Sequence, residues 1–311
     1  TAITLAKATP ENMLGVCRHN LRALETMLRY CAEARIPLVR ISSDIIPLAS
    51  HPQNSFDWQR ELEQELASAR ATLAQTGIRV SMHPGQYTVL NSPRHDVVER
   101  AADDLTFHAG FLDALGADSS ASIVLHLGGG YGDRASALAR LTDNLLALPP
   151  QVRNRISLEN DERVFTIEDA LNICGKCDLP AIFDVFHHSL NAPAHGTQAY
   201  WLDRAAESWS PQYGRPKLHY SQQLAGGKPG MHSRSIDMKE FVEFHGSLEG
   251  RELDVMLEVK DKNLSAVKCI NLTNPRLTRH ELTREWARYK YLILERDQAA
   301  YNAFRAMLKA D

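Results

Sequence analysis

The sequence predicts a β/α barrel of the triosephosphate isomerase (TIM) type, in the α/β class, with its first strand missing or truncated and a helical C-terminal extension. Three observations predict it. Short β-branched runs recur along the chain, amphipathic helical stretches separate them, and 311 residues of 44% hydrophobic content suffice for one large core. The first clear strand is "PLVRIS" from Pro37, and a helix over 57–77 follows it, stopped at Gly77. "IRVSM" from Ile78 is the next strand, and a helix over 97–116 leads to "SIVLH" from Ser122. "RISLE" from Arg155, "AIFDV" from Ala181, "PKLHY" from Pro216 and "DVMLEV" from Asp254 bring the strands to seven. An eighth would close the barrel. It is expected to be absent, or to survive only in "AITLA" near the start, since the chain opens without an initiator methionine. Residues 1–270 are read as the barrel and 271–311 as a charged helical extension packed on it.

Composition excludes several classes. The apolar runs are strand-length, well under the roughly 18 residues that span a bilayer, and no signal-peptide pattern is seen; a soluble, cytoplasmic protein without a membrane or protein partner, and monomeric, is expected. Five scattered cysteines argue against a disulfide framework, and Cys174 and Cys177 form a lone C-x-x-C read as helix-end packing. The net charge of −3 makes no global electrostatic case for nucleic acid.

In such barrels chemistry gathers at the C-terminal ends of the strands. Here the runs finish on His83, His126, Glu159 and Asp184, with His187 just after; His219 and Glu258 lie on the last two strands and His232 in the loop between them. Five imidazoles and three carboxylates thus converge on one face. Any one of them is more often structural, and His95, His108, His188, His195, His245 and His280 keep that reading. The set is different, because crowded buried acids repel unless cations or protons neutralise them. Mixed imidazole and carboxylate ligands suit divalent ions, and eight exceed the needs of one ion, so two or three are expected with Glu159 bridging a pair. Lys217 shares the inner face with His219 by the period of two. It either forms a salt bridge with one of the acids or is carboxylated and joins the site as an anion.

Four segments, "HPGQYTVLNS" (83–92), "LENDER" (158–163), "FDVFHH" (183–188) and "KLHYS" (217–221), in this order and spacing, resemble the UV damage endonuclease family; "RISSDIIPLASH", ending in His51, also fits. The family is similar in fold to endonuclease IV. The resemblance implies a DNA repair endonuclease that nicks damaged duplex DNA immediately 5′ to cyclobutane pyrimidine dimers, 6-4 photoproducts and other distorting lesions. Manganese is the implied ion, with zinc or magnesium as alternatives. It further implies that the eight residues above are metal ligands, that Lys217 is carboxylated, that His51 assists catalysis, and that Gln86 and Tyr87 wedge into the duplex at the lesion. The family's first strand, with its glycine-aromatic start and second probing element, is not matched.

Independently of the resemblance, clustered metals supply an activated water, charge neutralisation at phosphorus and leaving-group stabilisation for phosphodiester hydrolysis. A tyrosine beside an amide in a strand-end loop suits stacking into a weakened base step, although a plain rim loop is the alternative. Arg94, Arg163, Lys228, Arg234 and Lys260 are candidate phosphate contacts or, equally, a solvated basic rim. The rival function is a metal-dependent sugar isomerase or epimerase using Glu159, Asp184, His219 and Glu258 alone, which leaves the remaining histidines unexplained.

Overall fold

The computed structural model describes residues 2–248 and 250–273. Within them seven strands form one sheet in sequence order, all neighbours parallel: β1 (Leu38–Ile41), β2 (Arg79–Met82), β3 (Ser122–His126), β4 (Ile156–Glu159), β5 (Ala181–Asp184), β6 (Lys217–Tyr220) and β7 (Asp254–Leu257). Each lies inside a run expected from the sequence. "AITLA" is not a strand. Leu5–Lys7 forms a 3-10 turn whose Lys7 N–H is spent on Thr4, and Thr9 caps the helix Pro10–Glu33 that leads into β1. Of the expected extension, 274–311 lie outside the described residues, and the helix Asn263–Thr273 runs across the boundary expected at 270.

The pleat sorts the strand residues. Val39, Ile41, Val80, Met82, Ile123, Leu125, Ile156, Leu158, Phe183 and Leu218 join the helices in one core, each large side chain contributing about 1.5–3 kcal/mol of burial. The alternate positions Val124 and Ile182 belong to a separate small cluster with Trp209 and Tyr213, inside the barrel. Most of the other inner positions are polar, among them Arg40, Ser81, Ser122, Ser157, Lys217 and His219, with Leu38 and Met256 the apolar exceptions.

Two helices differ in detail from expectation. The helix over 57–77 is two: Asp57 caps Trp58–Glu61, fully buried Leu62 (φ −118°) turns the chain inward, and Glu63–Thr76 ends on Gly77 in the left-handed region (φ 61°). The second helix starts two residues early, at His95–Ala114.

The strand starts are plugged by one guanidinium. Arg79 donates to Ser120 O (3.0 Å), Tyr213 O (2.8 Å), Arg215 O (2.6 Å) and the Asp254 carboxylate (2.7 Å), and lies over the Trp209 ring. It ties together the beginnings of β2, β3, β6 and β7. No ladder joins β1 to β7; there Arg40 of β1 reaches across to Glu258 at 2.6 Å and His219 at 3.0 Å.

Candidate active site

All eight sequence-predicted ligands meet at the strand ends. Glu159 ends β4 and is fully buried; its Oε2 lies 3.2 Å from His83 Nε2 and 3.8 Å from His126 Nε2, while its Oε1 lies 2.7 Å from His219 Nδ1 and 3.8 Å from His187 Nδ1. His219 Nδ1 is also 3.1 Å from Glu258 Oε1 and 4.0 Å from Asp184 Oδ2. The imidazoles form a chain around the mouth, with ring centroids 5.0 Å apart for His83 and His126, 5.8 Å for His126 and His187, and 5.9 Å for His187 and His232. Two groups of ligand atoms each lie within 4.8 Å of one another: His83, His126 and Glu159, and Glu159, Asp184, His219 and Glu258. Glu159 belongs to both.

Neighbouring backbone fixes these side chains. His187 follows β5 on a short helix capped by Asp184, whose Oδ1 accepts the His187 N–H at 2.7 Å. The His187 Nδ1 sits 3.0 Å from Asn160 O, and His232 Nδ1 sits 2.9 Å from Glu258 O, so the backbone engages Nδ1 of each ring and leaves Nε2 as the nitrogen available to a ligand. Asn160, which sequence reasoning passed over inside "LEND", pairs reciprocally with the Asp184 backbone, donating to its carbonyl (3.1 Å) and accepting its N–H (2.9 Å).

The charges are out of balance without a cation. Burial would raise the Glu159 carboxyl, yet the His219 and His126 imidazoles and hydrogen bonds from His219 and His83 hold it well below the usual range. Glu258 is likewise held low against burial, by Arg40 and His219. Asp184 goes the other way: burial and the Glu159 and Glu258 carboxylates push it well above the usual range. Burial lowers His219 to about 4. Asp184 Oδ2 and His126 Nδ1 are buried with no hydrogen-bond partner, whereas Glu159 Oε2 is met by His83 and Glu258 Oε1 by Arg40 and His219. Those orphaned atoms fit divalent ions. Arg40 opens the segment "RISSDIIPLASH" but was not singled out, because a lone arginine on a strand does not by itself point to a site.

The remaining predicted residues lie around this cluster. Lys217 is buried one inner position below His219, and its amine donates to Ser122 Oγ at 2.8 Å rather than pairing with an acid. Burial, then Arg40 and Arg79, lower its pKa well below the ordinary lysine value. Gln86 and Tyr87 are the central residues of a turn closed by Thr88 N–H to Gly85 O (2.9 Å). The Tyr87 ring is 70% exposed, and a Cβ at Gly85 would collide with it. His51 is half-buried in the loop after β1, outside both ligand groups; its Nδ1 accepts the Gln53 N–H (3.2 Å), leaving Nε2 as the donating nitrogen. Two of the candidate phosphate contacts are engaged locally, Arg94 with Asp96 (2.7 Å) and Arg163 with Glu162 (3.3 Å). Cys174 and Cys177 are buried free thiols raised by burial, as helix-end packing requires. No helix among the described residues is long and apolar enough to cross a membrane.

A glutamate shared by two ligand groups on a seven-stranded barrel invites comparison with known proteins, and the sequence matches the family described as "UV-endonuclease UvdE" over residues 2–284. The chain belongs to that family. A UV DNA damage endonuclease of Clostridium perfringens is 37% identical over 304 residues, 95% of this chain and 73% of the relative. The crystal structure of SacUVDE superposes with a TM-score of 0.83 at 36% identity, covering 88% of this chain and 91% of that one. A D-psicose 3-epimerase from Clostridium cellulolyticum H10 shares the fold alone, with a TM-score of 0.52 at 14% identity over 88% of this chain and 93% of that one. The barrel is therefore common to family members and sugar epimerases, and only the site separates them.

Proposed function

We propose that this chain is a metal-dependent DNA repair endonuclease that hydrolyses one phosphodiester of a damaged duplex, immediately 5′ to cyclobutane pyrimidine dimers, 6-4 photoproducts and other distorting lesions. Family membership supports the repair nuclease. The observation that carries the metal dependence is the pair of ligand groups sharing Glu159, with the buried Asp184 Oδ2 and His126 Nδ1 left unpartnered. Two or three divalent ions, manganese first, would be held by His83, His126, Glu159, Asp184, His187, His219, His232 and Glu258. When bound, such ions supply a nucleophile at neutral pH and neutralise charge at phosphorus and at the leaving oxygen.

The chain's own residues do the rest. Asn160, through the Asp184 backbone and His187, and the Glu258 carbonyl, through His232, hold the ligand rings in place. Tyr87 stacks into the base step weakened by the lesion and Gln86 offers its amide to the orphaned bases; the lesion has already lowered the unstacking cost, so selection needs no reading of sequence. His51 donates from Nε2 to a phosphate oxygen beside the scissile bond. Lys217 is carboxylated: a buried amine depressed by burial and two guanidiniums is the neutral nucleophile that adds to CO₂, and the resulting anion would give Arg40 Nε, buried and unpartnered, an acceptor. Residues 1–270 act as one catalytic domain, and the protein works as a monomer.

The epimerase alternative uses only the Glu159, Asp184, His219 and Glu258 group and leaves His83 and His126 on Glu159 without a task. A duplex carrying one cyclobutane dimer, incubated with the protein and Mn²⁺ and resolved on a sequencing gel, tests the proposal. One nick directly 5′ to the dimer and none in the undamaged duplex is expected; no nick, with ketose epimerisation instead, overturns it.

A further inference from the structure

The two elements assigned above to lesion probing and to phosphate contact come from different strands, yet both are fastened to one buried carboxylate. Asp104, on the helix His95–Ala114, is 5% exposed. Its Oδ2 accepts from Thr88 Oγ1 at 2.7 Å, and its Oδ1 accepts from Ser50 Oγ at 2.9 Å. Thr88 is the residue whose N–H closes the Gln86–Tyr87 turn, and Ser50 immediately precedes His51. The His51 loop is itself tightly drawn. Leu48 sits in the left-handed region (φ 58°), and its carbonyl takes both the His51 N–H (3.0 Å) and Asn54 Nδ2 (2.9 Å). Beneath Asp104, His108 is buried one turn on, its Nδ1 2.6 Å from the Asp104 carbonyl and 3.7 Å from the carboxylate.

We infer that Asp104 is a positioning residue that sets the Gln86–Tyr87 turn and the His51 loop in one frame, one carboxylate oxygen to each; the inference rests on the functional reading of those two loops. A carboxylate is suited to this because it is acceptor-only and takes two hydroxyl donors at once, and its hydrogen bonds are charge-assisted. Helix His95–Ala114 lies outside the strand ends and supplies no ligand, so the frame is set from behind the site. A lesion engaged by Tyr87 is thereby registered at a fixed offset from the phosphate that His51 contacts, and the bond nicked is tied to the lesion rather than to sequence.

Each tether can be cut alone. Thr88→Val keeps shape and removes the turn's hydroxyl, so KM for a dimer-containing duplex rises while kcat holds. Ser50→Ala frees the His51 loop, so kcat falls while KM holds. Each change is expected to be about tenfold, the scale of one hydrogen bond to a charged group. Asp104→Leu should do both, and Asp104→Asn, whose amide still offers one acceptor and one donor to two hydroxyls, should recover most of the loss. Hydrogen exchange of residues 48–54 and 85–90 reads the same frame without substrate. Thr88→Val is expected to quicken exchange only in the second segment, Ser50→Ala only in the first, and Asp104→Leu in both. If the parent protein does not nick but exchange divides this way, the functional reading falls and the frame stands. If it nicks but either single variant moves KM and kcat together, or Asp104→Leu leaves exchange in either segment unchanged, the frame is overturned. Should Asp104→Leu fail to fold, the two hydroxyl variants decide the matter.

Discussion

At the strand starts, Arg79 donates from all three of its nitrogens to three carbonyls and the Asp254 carboxylate, so a buried charge is met by partners on every side. At the strand ends, Glu159, Asp184 and Glu258 face one another, Asp184 Oδ2 has no partner, and burial together with the two neighbouring carboxylates pushes the Asp184 carboxyl well above its usual range. The same barrel thus carries one charge arrangement completed by the protein and one that it leaves incomplete. Completion is what stability requires; incompleteness is what binding a cation requires.

Substitutions at the two ends should therefore fail in opposite ways. The largest effect is expected from Glu159→Gln, which takes an anion from both ligand groups. Nicking should fall by roughly three orders of magnitude, the scale of several kcal/mol of lost charge stabilisation, while the metal-free protein keeps its thermal stability. Single-turnover nicking beside a melting curve measures both, and a protein that unfolds while losing activity would erase the contrast.

Arg79→Met is the mirror case. It leaves Asp254 with only Arg215, at 3.7 Å, and should cost about 3–5 kcal/mol of stability in urea, with activity per folded molecule and metal content unchanged; Arg79→Met with Asp254→Asn should recover part of the loss. Metal content falling in step with stability would show that the ends are not separate.

The Gln86–Tyr87 turn follows β2 at the incomplete end and supplies no atom to either ligand group. Gln86→Ala with Tyr87→Ala should lower affinity for a lesion duplex about ten- to hundredfold, the cost of one lost stacking platform, and leave metal content unchanged. Equal binding of the double variant to damaged DNA would remove the wedge.

The smallest effect concerns pH. Because the Asp184 pKa is raised in the folded protein, the folded state holds a proton that the unfolded chain releases above the ordinary carboxylate range. The stability of the metal-free protein should decline as pH rises from that range toward the raised folded value. Divalent ions compete with the same proton, so their affinity should climb with pH. Asp184→Asn should raise the metal-free melting temperature near neutrality by a few degrees and flatten its pH dependence; a melting temperature that falls would mean the carboxyl is not under repulsion.

Much of this was legible in the sequence because both fold and site follow short-range rules. Recurring β-branched runs located all seven strands, and asking which residues finish or lie on them led to the six residues of the two ligand groups. His51 stood out only through resemblance, and Gln86 and Tyr87 through it and their place in a strand-end loop, since loop residues carry no periodic signal. Arg40 and Asp104 were illegible for a different reason. Each reads locally as a solvent-facing charge, one in "LVRI" and one in "ERAADDLTF"; Arg40 becomes part-buried and Asp104 buried only because segments distant in sequence fold over them. The kink at Leu62 was hidden too, because helical periodicity continues on both sides of it.

The Arg79 plug also bears on how the chain finds its shape. Its partners lie 41, 134, 136 and 175 residues along the chain, so the plug cannot form until the last strands have arrived. Contacts of such separation carry a high loop-closure cost, so Arg79 is expected to make them late in folding. Arg79 should act as a late latch: its removal should steepen escape from the native state, visible as a faster unfolding limb, and leave the rate of folding nearly untouched.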